Sequence, residues 1–199
     1  MNELTTLNML LRLIGSSPVN STDTDHPDAA NALATMERVS KRVQRRGWWC
    51  NNEYDIILAP DENGLIEVGS AVSTLVTENR NYVLRNNRLY DNKLQTAIFT
   101  DNVRVKRLVR VLEWDDMPAI LQEATAYTAA AEFVRDELED PQKEQSLKED
   151  ASRSYLDLKK QDLEEGQYNI FSTPRILRAR GGVAPYARNS MRFFGDPDR

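Results

Sequence analysis

The chain has 199 residues, of which 40% are hydrophobic, and a formal net charge of -5. That length supports one sizeable core or a domain with one large insertion, and the acidic balance argues against a general nucleic-acid binder. A single cysteine, Cys50, excludes an internal disulfide framework and any thiolate-rich metal site.

No run approaches the roughly 20 apolar residues of a membrane span. The first ten residues lack the basic start of a secretory signal, so cytosol-like conditions are expected. Leu4, Leu7, Leu11 and Ile14 share a helical face, with Gly15 placed to close the helix. Residues 16–24 form a polar loop containing Pro18. Pro27 suits the first turn of a second helix over 27–46, and Asp28 sits near the positive end of its dipole. Ala29, Ala30, Leu33, Met36 and Val43 give that helix an apolar stripe. Arg45 and Arg46 suit its C-terminal end and Gly47 stops it.

From Trp48 to Leu112 the pattern is that of strands. Tyr54 to Leu58 is a short apolar run, and Asn63-Gly64 marks a turn. Residues 82–90 read as a tight hairpin, because Asn86 and Asn87 tolerate positive φ at both central positions. Residues 103–107 alternate apolar and basic, which predicts one buried and one wet face. Asp116 is then a suitable N-cap, with Pro118 just inside a third helix. Ile120, Ala124, Tyr127, Ala131, Val134 and Leu138 stripe that helix, and Ala129, Ala130 and their neighbours permit close packing. Asp140-Pro141 breaks it. Leu147, Ala151, Tyr155 and Leu158 stripe a fourth helix, which Gly166 closes. Beyond it, Pro174, Gly181, Gly182, Pro185 and Pro197 predict an extended, mobile arm.

The expected architecture is therefore α+β. A four-helix body, with two N-terminal and two C-terminal helices, carries an inserted antiparallel β domain and an extended C-terminal arm. The boundaries are residues 1–47 and 114–166 for the body, 48–113 for the β domain and 167–199 for the arm. Gly47, Trp48, Trp49, Trp114 and Pro118 mark the seam between body and insertion. Charge is uneven: residues 1–110 carry 14 basic and 13 acidic side chains, residues 111–165 carry 6 and 16, and residues 166–199 carry 6 and 2.

A catalytic constellation is hard to find. His26, the one histidine, precedes Pro27 and reads as an exposed residue at a helix start rather than a general base. Cys50 reads as a small buried hydrophobe on a strand. No phosphate-binding glycine loop is present. Asp115-Asp116 could serve as the carboxylates of a glycosidase, but a cap and a dipole partner explain them more simply. No cofactor or metal is expected. In the arm, Arg175, Arg178, Arg180, Arg188, Arg192 and Arg199 could meet phosphates, with Tyr186, Phe193 and Phe194 stacking on bases. Ile170, Phe171, Ile176 and Leu177 favour a protein surface instead, with the aromatics as anchors.

These residues, taken in order, resemble the tail tubular protein A family of T7-like short-tailed bacteriophages, the gatekeeper or head-to-tail adaptor. The likeness runs from Leu10 to Pro18 with Ile14-Gly15, through Ala29-Ala30-Asn31-Ala32, to Gln44-Arg45-Arg46-Gly47-Trp48 and Asn51, Asn52 and Glu53. It continues through Ile57-Leu58, Pro60 and Leu89-Tyr90-Asp91 to Asp115-Asp116-Met117-Pro118 and the alanine-rich helix. It spans roughly residues 4–165 and is weakest in the arm.

The resemblance implies a virion structural protein of the head-tail junction, made in the host cytoplasm. It implies a ring of twelve copies beneath the portal protein, continued by the nozzle protein, tail tubular protein B. Tail fibres would attach near that junction, and genomic DNA would pass through the lumen without specific binding. The arm itself, through Arg175, Arg178, Arg180, Tyr186, Arg188, Arg192, Phe193 and Phe194, is expected to dock on the portal or on a neighbouring subunit. A tail-associated glycan hydrolase using Asp115 or Asp116, and a DNA-retaining plug using the arginine arm, are the rival readings.

Overall fold

Thr5 N–H finds an acceptor in the Asn2 side chain 2.7 Å away, and this cap starts the first helix, α1 (Glu3–Leu13). A computed structural model of the chain describes residues 1–138 and 140–165. The elements that follow are α2 (Pro27–Gln44), β1 (Asn52–Leu58), β2 (Val72–Thr77), β3 (Tyr82–Arg85), β4 (Arg88–Asp91), β5 (Val103–Arg110), a 3-10 turn (Trp114–Asp116), α3 (Ala119–Leu138) and α4 (Pro141–Glu165). The fold is α+β, with antiparallel β structure inserted between α2 and α3. Residues 1–159 form one compact unit, and the last turns of α4, residues 160–165, belong to a second. The expected closure at Gly166 and the arm over 167–199 lie outside the described residues.

Gly15 closes α1 at φ +78°. Its N–H bonds Arg12 O and that of Ser16 bonds Leu11 O, the paired bonds of a Schellman cap. Leu7, Leu10 and Leu11 are fully buried, and each contributes about 1.5–3 kcal/mol on leaving water. On α2 the buried face is Ala29, Ala32, Met36, Val39 and Val43 together with Ser40 and Gln44. Ala30, expected in the stripe, is exposed, since it lies one residue off the 29–32–36 spacing. The helix ends at Gln44 rather than 46, and Arg45 and Arg46 form the turn that leads to Gly47. His26 takes the cap position of α2 and is half-buried, not exposed; its side chain makes no cap bond.

α3 buries Ala124, Ala126, Ala129, Ala130 and Ala131, and these small side chains let α1 and α2 approach its backbone closely. Two expectations at its ends are corrected. Asp116 belongs to the 3-10 turn, not to the helix cap, and Pro118 stands just outside α3, its carbonyl accepting the first helical bond from Gln122 N–H. Leu138 is 39% exposed because the helix outruns the core. Asp140 starts α4, its carboxylate accepting from the N–H groups of Gln142 and Lys143. The α4 residues Leu158 and Ser154 are buried, while Leu147, Ala151 and Tyr155 are half-buried.

The strands form a three-stranded antiparallel sheet in the order β1-β5-β2 and a separate β3-β4 hairpin. Asn86 and Asn87 take φ of +49° and +60°, the type I′ turn their identity predicts. β2 was not legible as a strand, because Val-Ser-Thr-Leu-Val-Thr carries no alternation, and its ladder with β5 is irregular twice. β5 runs on to Arg110, beyond the alternating stretch. The strand region also begins later than expected: residues 48–51 are a turn, and Cys50 sits half-buried in it rather than on a strand. The result is two hydrophobic clusters. One joins α1–α4 and includes Trp48 and Trp114. The other lies in the β region around Ile66, Leu89, Phe99, Val105 and Leu108.

Gly47 is fixed by its surroundings. It sits at φ +78°, and a Cβ there would lie 1.9 Å from an Arg107 guanidinium nitrogen and 2.5 Å from Asn52 Oδ1. A methyl would strain the backbone and push Arg107 from its partners. Gly47→Ala should therefore cost about 2–3 kcal/mol, seen as a fall in Tm of roughly 5–10 °C. A thermal melt within 2 °C of wild type would contradict this account of the turn.

Candidate functional site

The described residues bring together no catalytic constellation of the kind sought in the sequence. Asp115 and Asp116 are exposed in the 3-10 turn. Neither they, nor His26, nor Cys50, line either of two surface clefts of about 500 Å³ formed by the described residues. Among the described residues no three His, Cys, Asp or Glu side chains stand where they could hold a metal ion. No described helix is long and apolar enough to cross a membrane. The most heavily determined place in the chain is instead the crossing from helix to strand and back.

Two carboxamides organise that crossing. Gln44, fully buried at the end of α2, faces the chain leaving β5. Its Nε2 donates to Leu112 O at 3.0 Å and to Ser40 Oγ at 2.9 Å, and its Oε1 accepts from Leu112 N–H at 2.7 Å. The side-chain amide thus pairs with Leu112 as a strand neighbour would. Asn51, 2% exposed, does the same for the chain entering β1. Its Oδ1 accepts from Trp48 N–H at 2.7 Å, and its Nδ2 donates to Gln44 O at 3.1 Å and Arg110 O at 2.8 Å. Arg110 N–H returns a bond to Asn51 O. Incoming and outgoing strands are held to α2 and to each other.

A half-exposed layer covers these amides. Arg107 reaches from β5 to donate to Arg46 O at 2.8 Å and to Asn52 Oδ1 at 2.9 Å, and Asn52 Nδ2 donates to Trp48 O. Arg110 grips Glu53 through two bonds of 2.6 and 3.1 Å. That hydrogen bond holds the Glu53 carboxyl below its usual range; burial, the next largest effect, opposes it, and the guanidinium charge adds a smaller lowering.

The indoles flank the crossing on its helical side. Trp48 is 1% exposed; its Nε1 donates to Val43 O, its ring meets Tyr155 edge-on at 5.6 Å, and Arg46 lies over both rings. Trp114 is buried in the same cluster, and its Nε1 donates to Met1 O. Gln122 completes this link by donating to Trp114 O and accepting from the Met1 ammonium. Trp49 is half-buried against the helical cluster, and Pro118 leads into α3. Arg175, Arg178, Arg180, Tyr186, Arg188, Arg192, Phe193 and Phe194 lie outside the described residues.

Sequence reasoning missed Gln44, Asn51, Asn52 and Arg107 as parts of this joint. A signal for Gln44 existed: it stands at the i+8 position of the buried α2 series 36–39–40–43–44, where an uncharged polar residue needs a partner. Nothing local marks Asn51, whose partners are backbone groups up to 59 residues away.

The acidic helices are also less acidic than their composition. Glu132 of α3 is bonded by Arg38 and Arg42 of α2, and Arg38 reaches Asp136 as well. Glu144 pairs with Lys148 and Asp150 with Arg153. Part of the charge of residues 111–165 is therefore spent between helices.

Two outcomes follow from the joint. Asn51→Ala removes the side-chain bonds to Trp48 N–H and Arg110 O and one of the two bonds to Gln44 O, which keeps Gly47 N–H, and should destabilise by about 2–3 kcal/mol, measured by urea unfolding; a loss under about 1 kcal/mol would show the network to be replaceable by water. Glu53 has a lowered folded pKa, so its pairing stabilises above about pH 4.3 and is lost as pH falls through the lower folded value. The pair is about 40% exposed, so the effect is at most about 1 kcal/mol. Glu53→Gln should flatten the acid limb of stability by that amount and leave the alkaline side unchanged.

A family model described as tail tubular protein matches residues 4–168 of this chain. Among curated proteins none matches it.

Proposed function

Because the chain belongs to the tail tubular protein family, and is thus a structural component of a phage tail, we propose that it is the ring adaptor between the portal and the tail nozzle. In this reading about twelve copies close a ring below the portal protein, and tail tubular protein B continues the tube. Tail fibres attach near that junction, and DNA passes through the lumen without specific binding. No catalytic step is assigned to it.

The observation that carries this reading is the double clamp at the crossing. A closed ring needs two different patches on each subunit held at one fixed angle. Gln44 and Asn51 tie the end of α2 to the chain entering β1 and to the chain leaving β5, at both chain crossings. The seam residues Gly47, Trp48, Trp49, Trp114 and Pro118 support the same angle from the helical side. The basic stretch 167–199, with Arg175, Arg178, Arg180, Tyr186, Arg188, Arg192, Phe193 and Phe194, supplies a charge-complementary element for contacts between proteins.

Negative-stain electron microscopy of the protein mixed with its portal tests the proposal. The expected image is a ring of subunits on the tail side of the portal. Portals that stay bare at saturating protein would refute the adaptor role while leaving family membership intact.

A further inference from the structure

The cleft beside the end of β2 has a chemistry that the adaptor reading does not use. Its floor is aromatic and aliphatic: Tyr82 and Phe99 meet edge-on at 5.3 Å, and Leu94 and Ile98 stand 71% and 63% exposed beside them. Its rim carries the exposed carboxylates of Glu78 and Asp101. The cation at the cleft, Arg104, is paired to Asp55 at 2.9 Å. The cleft measures about 500 Å³, room for one or two large side chains.

We propose that this cleft receives the segment 166–199 of a neighbouring copy of the same chain. The inference rests on the ring reading and names the contact between its subunits. Residues 166–199 carry six arginines against two aspartates, with Tyr186, Met191, Phe193 and Phe194 among them. Arginines meet the Glu78 and Asp101 rim, and an aromatic residue completes the Tyr82–Phe99 floor. Fully extended, these 34 residues span at most about 110 Å, ample to reach an adjacent subunit. The two patches differ, so the contact is heterologous and propagates around a ring. The acidic rim disfavours a phosphate backbone as occupant.

The test uses the full-length chain with p-benzoylphenylalanine in place of Phe193, mixed in equal parts from heavy-isotope and light preparations. After irradiation at concentrations that give rings, mass spectrometry locates the cross-links. The expected result is cross-linking into residues 78–104, with about half of the linked pairs joining a heavy to a light chain, as random mixing of copies requires. The doubly substituted chain Glu78→Lys/Ile98→Arg, altered at two exposed positions, should melt as wild type does and lose cross-link yield at least tenfold. Links within one chain, links to another segment, or no links into 78–104 overturn the proposal. Imaging the irradiated protein mixed with its portal separates the two readings: rings with links elsewhere refute the cleft and spare the adaptor. Links into 78–104 with no ring on the portal do the reverse.

Discussion

Gln44 and Asn51 are buried carboxamides at the one place where the chain leaves the helical core and returns to it. An amide side chain offers a donor and an acceptor in the geometry of a peptide group. Placed where two strands enter and leave, it satisfies backbone groups that neither helix nor sheet can reach. A buried amide is costly unless fully bonded, and both of these are bonded on each end. The apolar clusters on either side are non-directional and would tolerate small rotations. The amides do not, because a rotation breaks several bonds together.

Around that point, charge has been divided between inside and outside. Arg38 and Arg42 neutralise Glu132, and Arg110 neutralises Glu53, so these charges hold elements of one subunit together. Glu78 and Asp101 remain on the rim of the β-region cleft, facing solvent. For a tail component that lives in an assembly, this separation is useful. The internal pairs orient the helices, and the outward carboxylates stay exposed.

The sequence revealed most where local chemistry decides structure. Gly15 and Gly47 at helix ends, Asn86-Asn87 in a two-residue turn and Asp140-Pro141 between helices act within a few residues, and each lies where its chemistry demands. Asp116 misled because a carboxylate before a proline imitates a cap; here a 3-10 turn intervenes and Pro118 itself holds the cap position. β2 was hidden by Ser73, Thr74 and Thr77: Thr74 and Thr77 pair with β5 in the backbone ladder, which composition does not report, and Ser73 falls at a register shift and donates its hydroxyl to Val109 O. The joint was the least legible of all. Asn51 looks like any turn asparagine until Arg110, far along the chain, comes to lie beside it.

The position of the β insertion has a consequence for the order in which the chain acquires its structure. α1 and α2 are complete in the first 44 residues, but the helix they pack against, α3, starts at Ala119. The intervening loop is long, and its closure costs entropy before any helical contact offsets it. Pairing of β1 with β5 brings Asn52 opposite Val109 and so delivers both ends of that loop to the same spot. With β1 and β5 paired, the chain leaving β5 lies beside the end of α2, where Gln44 bonds Leu112. The inserted sheet is in that sense a splint: it shortens a 75-residue separation between helices to the width of two adjacent strands.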